Sequence, residues 1–269
     1  MNDNCFRQLL DRLNLSWQGY AKVRKSVKKR IDRHMGKLGL PTMDEYLQAL
    51  LDPDILKKVE SLMSVSISNF FRDRNLWRTL EEEIIPDIAA RHSERIHAWS
   101  AGCALGQEAY SLAIMWDMLK KKRPPLPELR ILATDINPDY IGKAMAGIYD
   151  RNNLKGLPDE IKSVYFHACE DQKALCLTDC IKKCVAWKVH NLMKEPPPAK
   201  RFQIVFLRNN LFTYYRPEYT SSVFLNVLDR LDEGGFFIIG SHERLPFQTH
   251  MLSPFKGSSY IFQKTCTLA

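Results

Sequence analysis

Residues 96–112 read IHAWSAGCALGQEAYSL, and this stretch decides the predicted fold. The short apolar run at residues 96–100 predicts a buried strand, and a helix is expected from about Glu108 to Lys120. Gly102 and Gly106 lie in the intervening loop, where glycine permits a tight turn and close approach of the backbone to a ligand. The loop lacks the three glycines of the dinucleotide-binding fingerprint. Taken alone, it is compatible with a ligand site and equally with a purely structural turn.

Downstream of this stretch, strand and helix patterns alternate. Further elements are expected, in chain order, as a strand at 129–134, a helix at 140–146, a strand at 202–207, a helix at 217–231 and strands at 236–239 and 260–263. Gly234 and Gly235 are expected to form the turn into the strand at 236–239. This alternation favours an α/β fold with an open, mostly parallel sheet. The pattern weakens at about 150–190, which we interpret as a small insertion with short strands at 174–177 and 185–189.

Asp135 directly follows the second predicted strand. An acidic side chain at the tip of this strand is placed to accept both hydroxyls of a ribose, although it could equally cap the next helix. The glycine loop and Asp135, in this order, favour a cofactor that contains a nucleoside. Because the glycine pattern that cradles phosphates is missing, S-adenosylmethionine fits better than NAD.

The first 75 residues are predicted to form helices. Residues 20–38 carry apolar side chains at helical spacing, at Val23, Val27, Ile31, Met35 and Leu38. Cationic side chains surround this apolar stripe, at Lys22, Arg24, Lys25, Lys28, Lys29, Arg30 and Arg33. A second helix is expected at 43–51, with Thr42 as its cap. The basic helix is either an ordinary solvated face or a surface for an acidic partner.

Composition narrows the class of protein. The chain has 269 residues, 45% of them hydrophobic and 26% charged, which is typical of a globular protein. Its formal net charge of +8 suggests an acidic partner. The basic stretch has no interleaved aromatic residues and no recognition motif, so nucleic acid is not expected as the partner. The chain lacks both a signal-peptide pattern and an apolar run long enough to span a bilayer, so we expect a cytoplasmic protein without membrane insertion.

Seven cysteines are present, an odd number that matches no disulfide framework. Cys169, Cys176, Cys180 and Cys184 lie close together in the sequence, near His167. A metal site is conceivable there, but we expect none and interpret these cysteines as reduced thiols that behave as small apolar side chains.

Several motifs together resemble one family over nearly the whole chain. They are FFRD at 70–73, SAGCALGQEAYSL at 100–112, ATDIN at 133–137, GIY at 147–149, NL at 191–192, RN at 208–209 and GSHERL at 240–245. Their order and spacing resemble those of the chemotaxis-receptor protein-glutamate O-methyltransferases of the CheR type. The resemblance implies a helical N-terminal domain at 1–75 and a Rossmann-like, S-adenosylmethionine-dependent methyltransferase domain at 76–269, with a small β insertion at about 150–190.

The resemblance also implies the cofactor site. Glu108 would bind the ammonium group of S-adenosylmethionine and Asp135 its ribose, while Asn191 and Leu192 would contact the adenine side. Asn209 would lie near the methionine part. The full set implied for the cofactor is Ser66, Ser68, Arg72, Gly102, Glu108, Asp135, Asn191, Leu192, Asn209 and Asn210. Ser66 and Ser68 stand where members of the family usually carry asparagine and threonine.

For catalysis, the resemblance implies that Arg72 reaches the substrate carboxylate near the transferring methyl group. The family usually has a tyrosine near that methyl, four residues after the asparagine of the RN pair, but this chain has Thr213 there. We predict that the adjacent Tyr214 replaces it, and Tyr215 is the alternative. The departure leaves open a methyltransferase with a different acceptor, or a docking module that binds the cofactor with little turnover. His242 is expected to be structural.

The implied partner is the acidic helical bundle in the cytoplasmic domain of a chemotaxis receptor. Arg24, Lys28, Lys29 and Arg33 of the basic helix are the residues expected to dock it. Long-range attraction would then steer the negatively charged substrate toward the site. In some members of the family the small β-subdomain grips the receptor tail. Members are generally monomeric, so a monomer is expected here.

Overall fold

A seven-stranded sheet forms the centre of the computed structural model, which describes residues 1–66, 68–122, 125–169 and 173–265. The strand order is β6-β2-β1-β7-β8-β10-β9. The strands are β1 (Arg95–Ala101), β2 (Glu128–Asp135), β6 (Val185–Val189), β7 (Phe202–Leu207), β8 (Leu231–Ile239), β9 (Leu252–Pro254) and β10 (Ile261–Lys264). The predicted α/β sheet is confirmed, and all its predicted strands are present. The sequence patterns missed the short edge strand β9.

The central strands are parallel, and β10 runs antiparallel to β8 and to β9. All six residues of β7 are buried, which is typical of a parallel strand covered on both faces. Since parallel strands end at the same edge, the carboxyl ends of β1, β2 and β7 gather there. This is the edge at which open α/β sheets bind ligands.

Helices from the part of the chain after residue 73 flank the sheet. They are α6 (Arg74–Thr79), α7 (Ile85–Arg91), α8 (Gln107–Lys122), α9 (Pro138–Ala146), α10 (Asp159–Tyr165), α11 (Asp179–Lys182), α12 (Leu211–Tyr214) and α13 (Pro217–Asp229), with a π-helical turn (Leu80–Ile84) joining α6 to α7. One apolar cluster packs α8 against one sheet face, and a second packs α13 against the other. The two layers hold the sheet edge, and thus the site, rigidly.

Five helices form the N-terminal part: α1 (Asp3–Arg12), α2 (Trp17–Tyr20), α3 (Arg24–Leu38), α4 (Met43–Ala49) and α5 (Pro53–Met63). They share a separate apolar cluster that includes Val27 and Ile31 of the predicted basic helix. Thr42 and Glu45 form a complete capping box at the start of α4, so the predicted cap is present.

The N-terminal helices contact the edge of the sheet that carries the strands' carboxyl ends. An isolated bridge joins Leu15 to Tyr215, and the Ser16 amide donates to the Tyr214 carbonyl at 2.8 Å. From the sheet side, Nδ2 of the Asn137 side chain donates to the Ser61 carbonyl at 3.1 Å and to the Ser64 hydroxyl at 2.9 Å. A cleft between the two parts therefore opens at the ligand-binding edge.

Three expectations need correction. The small antiparallel sheet has the order β3-β5-β4, with β3 (Ile148–Asp150), β4 (Phe166–Ala168) and β5 (Ala174–Leu177). Residues 185–189, expected in the insertion, form β6 of the large sheet, where they pair with β2. Gly234 and Gly235 do not precede a strand; they form a bulge inside β8, because Phe202 pairs with Leu231 while Ile204 pairs with Phe236.

The third correction concerns the cysteines. Cys169 and Cys176 form a disulfide, with 5.4 Å between their Cα atoms, so the expectation of reduced thiols is wrong for this pair. Antiparallel pairing of β4 with β5 brings them together. Cys180 and Cys184 are free thiols.

In the ranges given above, no group of histidine, cysteine, aspartate and glutamate could hold a metal ion. None of the helices in those ranges has the length and apolarity needed to cross a membrane.

Candidate active site

The loop after β1 is fixed to the end of β2. The amides of Gly102 and Cys103 both donate to the Thr134 carbonyl, at 2.7 and 2.9 Å. Gly102 has a φ of +82°, and a Cβ there would lie 2.0 Å from Nδ2 of Asn210. Glycine is therefore required both for the backbone conformation and for the close approach of Asn210. Of the two glycines predicted from the sequence, Gly102 lines the cleft, while Gly106 packs closely against Trp187 and Ala144.

Asp135 lies at the tip of β2 and is buried. Its Oδ2 accepts the Ala104 amide at 2.9 Å, and its Oδ1 accepts the Asn137 amide at 2.9 Å. Burial raises the pKa of Asp135, and these amides oppose that rise because they favour the carboxylate. Asn137 rather than Asp135 caps α9, since the Asn137 side chain accepts from the Asp139 amide. A carboxylate has about four acceptor positions. Asp135 therefore keeps the capacity to bind a further donor, such as a ribose hydroxyl.

A cavity of about 490 Å³, which we call the cofactor cavity, opens in front of Asp135 between the N-terminal helices and the sheet edge. Its size suits a small cofactor. Of the predicted cofactor residues it is lined by Gly102, Asp135, Asn191, Leu192, Asn209 and Asn210. Ser66 is not among the residues that line it. The buried carboxylate and the several side-chain amides at its wall are the kinds of group that hold a nucleoside, so these residues fit S-adenosylmethionine.

Glu60 of α5 reaches the same cavity, although nothing in the sequence patterns pointed to it. Its Oε1 lies 2.6 Å from Nζ of Lys194, and its Oε2 accepts Nδ2 of Asn191 at 3.2 Å. The Asn191 Oδ1 accepts the Met193 amide at 3.0 Å. Glu60 therefore orients the predicted adenine-side residue from the opposite wall of the cleft.

Glu108 belongs to a partly buried ionic network at the start of α8. Its Oε1 accepts the Ser100 hydroxyl at 2.7 Å, and its Oε2 accepts Nη1 of Arg208 at 2.9 Å. Nη2 of Arg208 donates to Asp73 at 2.5 Å. Glu108, Ser68 and Arg72 line a small cavity of about 50 Å³ next to Gly102. The predicted ammonium-binding residue is thus held directly by Ser100 of β1 and by Arg208, which follows β7 and is itself held by Asp73 of the linker.

Arg72 lies in the linker between the two parts. Phe71 and Asp73 on either side have φ values of 50° and 65°. The Phe71 amide donates to the Ser111 hydroxyl at 2.9 Å, and the Trp77 indole donates to the Arg72 carbonyl at 2.7 Å. These contacts hold a backbone conformation that is unfavourable for residues other than glycine. The chain is thereby forced to present the Arg72 side chain at the cleft.

Arg72 also lines a second cavity of about 610 Å³, which we call the acceptor cavity. The two cavities have a common wall, formed by Val65, Asn209, Tyr214 and Tyr215. Cationic and titratable side chains at the acceptor cavity include Lys22, Arg72, His242, Glu243 and Arg244. The two cavities therefore adjoin, with the four residues of this wall as their common boundary.

Tyr214 is the aromatic residue of this wall closest in sequence to the family's usual tyrosine position. Its ring centroid lies 5.0 Å from that of Tyr20. Burial raises its pKa, and nearby Arg72 opposes the rise. The phenol is therefore neutral at pH 7 and able to donate a hydrogen bond. The hydroxyl of Thr213 instead donates to the buried Glu243 at 2.6 Å, a contact that the sequence patterns did not indicate.

The four predicted docking residues lie on α3 but differ in their contacts. Lys28 forms an ion pair with Asp3 of α1, and Nε of Arg24 lies 3.8 Å from the same carboxylate. The side chains of Lys29 and Arg33 are exposed. Part of the predicted basic face is thus engaged in holding α1, and part remains available to a partner.

Comparisons of the sequence with a family model and with known proteins point to methyltransferases of the chemotaxis type. Residues 66–261 match the sequence model of the family described as "CheR methyltransferase, SAM binding domain". The chain is 30% identical over 224 residues to chemotaxis protein methyltransferase 1 of Vibrio cholerae, covering 81% of this chain and 80% of that protein. It is 29% identical over 220 residues to a chemotaxis protein methyltransferase of Listeria innocua, covering 81% of each. It is also 30% identical over 223 residues to an uncharacterised 104.1 kDa protein of Rhodobacter capsulatus, covering 82% of this chain but only 23% of that protein.

Proposed function

This chain belongs to the CheR family of S-adenosylmethionine-dependent methyltransferases, and we propose that it methylates glutamate carboxylates in the cytoplasmic domain of a chemotaxis receptor. The products would be glutamate methyl esters and S-adenosylhomocysteine. The observation that carries the proposal is that the cofactor and acceptor cavities meet at shared lining residues, with Arg72 lining the acceptor side.

On the cofactor side, the chain's residues bind and orient. Asp135 would accept the ribose hydroxyls, and Asn191, held by Glu60, would contact the adenine together with Leu192. Glu108 and Gly102 at the small cavity would hold the methionine part. When bound, S-adenosylmethionine supplies a strongly electrophilic methyl group on a positively charged sulfur.

On the acceptor side, little proton chemistry is needed. A glutamate side chain is already ionised at neutral pH, so no general base is required. Arg72 would hold this carboxylate by a charge-assisted contact, and the neutral phenol of Tyr214 would donate to it. The protein mainly aligns the carboxylate with the methyl group and excludes water, which can supply a large part of the rate enhancement.

The partner's chemistry follows from the basic face of α3. Exposed Lys29 and Arg33, and less directly Arg24 and Lys28, would attract an acidic helical bundle and steer it toward the acceptor cavity. Lys22 extends this positive charge to the cavity itself. We place the enzyme in the cytoplasm, where such receptor domains lie, and expect it to act as a monomer.

A second candidate is a related methyltransferase with a different acceptor. It is favoured by one observation, that the hydroxyl of Thr213 is engaged by Glu243 at the position of the family's usual tyrosine. A changed group at the acceptor wall is the most direct way to change acceptor preference.

The test is methyl transfer from radiolabelled S-adenosylmethionine to purified receptor cytoplasmic fragments. Glutamate methyl esters release volatile methanol in alkali, whereas N-methyl groups do not. Arg72→Ala should abolish the volatile label, while Arg74→Ala, an exposed arginine two residues away, should keep it. Alkali-stable label would favour the second candidate. Binding of S-adenosylhomocysteine without any label would instead indicate a docking module.

A further inference from the structure

Glu243 follows β8 and is buried, with 5% of its surface exposed. Its Oε2 accepts the backbone amides of Asn209 at 2.8 Å and Gly240 at 2.7 Å. Its Oε1 accepts the Thr213 hydroxyl at 2.6 Å. One carboxylate therefore joins the end of β7, the end of β8 and the short helix α12.

The surroundings leave this carboxylate little freedom to move. A Cβ on Gly240 would lie 2.8 Å from the Glu243 Oε2 and 2.8 Å from the Asn209 Oδ1. Asn209 has a φ of 52°, in the left-handed region, which asparagine adopts more readily than most residues other than glycine. Its amide, held by Glu243, is part of what maintains that conformation.

The groups that Glu243 holds form the wall between the two cavities. Asn209 and Tyr214 line both cavities, and Thr213 directly precedes Tyr214. Helix α12 has only four residues, Leu211–Tyr214, so it cannot define its own position. Its contact with Glu243, together with the hydrogen bond from the Ser16 amide to the Tyr214 carbonyl, holds Tyr214 at the acceptor cavity.

We propose that Glu243 is a positioning residue for methyl transfer, acting through Asn209 on the cofactor side and through Thr213 on the acceptor side. The inference rests on the proposed methyl transfer and adds to it a physical role for Thr213. Thr213 also lines the acceptor cavity, but its hydroxyl is engaged by Glu243, so it anchors α12 and leaves the acceptor contact to Tyr214.

Substitutions can separate the contact of Glu243 with Asn209 (the cofactor arm) from its contact with Thr213 (the acceptor arm). Glu243→Ala removes both, and we expect kcat to fall about 100-fold, as misplacement of reacting groups by about 1 Å commonly does. The affinity for S-adenosylhomocysteine should fall about tenfold, in line with the loss of hydrogen bonds to a charged group. Thr213→Val removes only the acceptor arm, so kcat should fall while the affinity for S-adenosylhomocysteine stays within about twofold.

Conservative variants provide the rescue. Thr213→Ser keeps the hydroxyl and should restore most of the kcat lost in Thr213→Val. Glu243→Gln should lose less than Glu243→Ala, because its carbonyl can accept both amides while its NH₂ donates to the Thr213 hydroxyl, which can act as an acceptor. Glu218→Ala, at an exposed position on α13, is the matched control.

The experiment measures three quantities: kcat, the affinity for S-adenosylhomocysteine by titration, and the rate of hydrogen exchange in peptides spanning 208–215. All are measured well below the melting temperature of each variant. The positioning role would be supported by faster exchange in Glu243→Ala, with loss of both kcat and affinity in Glu243→Ala and loss of kcat alone in Thr213→Val. A folded Glu243→Ala with unchanged affinity and unchanged exchange would overturn it, and so would a fully active Thr213→Val. If Glu243→Ala does not fold, the comparison of kcat between Thr213→Val and Thr213→Ser tests the proposal. If the wild-type protein methylates nothing, the proposed function fails, while affinity and exchange still test whether Glu243 holds the wall.

Discussion

Arg208 offers the sharpest test of how the two parts of the protein are joined. Its side chain is 4% exposed and bridges Glu108, 14% exposed, to Asp73, 29% exposed. Arg208→Gln removes the positive charge and leaves Glu108 with the Ser100 hydroxyl as its remaining partner in the hydrogen bonds described above. Asp73, being more exposed, can regain water. The main cost therefore comes from the largely buried Glu108 carboxylate left without its counter-ion.

Breaking a buried ion pair by removing one partner typically costs 3–5 kcal/mol. Because Asp73 can be rehydrated, we expect the lower end, about 3 kcal/mol of unfolding free energy. For a domain of this size, such a loss lowers the melting temperature by roughly 6–12 °C. In a Glu108→Gln background the uncompensated charge is absent, so the same Arg208→Gln change should cost only about 1 kcal/mol.

The assay is urea unfolding of the four proteins in this cycle, followed by circular dichroism. Arg95→Gln is the matched control, since Arg95 forms a pair of the same 2.9 Å length with Glu128 at the surface, and it should leave stability unchanged. Equal losses for Arg208→Gln in both backgrounds, or a loss no larger than that of Arg95→Gln, would refute the idea that this buried network holds the linker to the sheet.

Three further outcomes are expected. Asp135→Ala should weaken S-adenosylhomocysteine binding at least about tenfold in a calorimetric titration, through loss of a buried charged acceptor, and unchanged affinity would remove Asp135 from the ribose site. Replacing Cys169 and Cys176 by serine, or reducing the wild-type protein, should lower unfolding free energy by about 2 kcal/mol, because the disulfide closes a short loop, and identical melting curves would contradict this. Burial, aided by nearby lysines, lowers the pKa of His34, whose Nδ1 lies 2.8 Å from the Tyr46 hydroxyl. The unfolded chain then binds more protons as pH falls below the ordinary value of 6.5, so stability should decline there, and His34→Gln should reduce that decline in urea titrations at pH 7.5 and 5.5.

Much of the fold could be predicted because the signal for each helix or strand lies in a short stretch of sequence. The apolar run at residues 202–207 indicated β7, and the run ending at Asp135 indicated β2. The helical spacing of Val27 and Ile31 identified the buried side of α3. In each case, the period of apolar residues reports which side of an element is buried, and this does not depend on the neighbouring element.

Other features could not be predicted, because the spacing of apolar residues does not show which other strand or residue a segment contacts. Residues 185–189 look like a strand in either sheet, and only pairing with β2 places them in the large one. Cys169 and Cys176 were expected to be reduced thiols, and only the pairing of β4 with β5 brings them close enough to form a disulfide.

The sequence by itself determined the α/β class, the glycine loop, the acidic strand tip and the family resemblance, since these depend on short stretches of chain. Only the tertiary structure decided which groups hold the site. Arg208 meets Glu108 across 100 residues of sequence and Asp73 across 135, and Glu243 meets Thr213 across 30. Such contacts arise because sheet order brings distant strand ends to one edge, where a buried carboxylate is stable only if donors from several elements satisfy it.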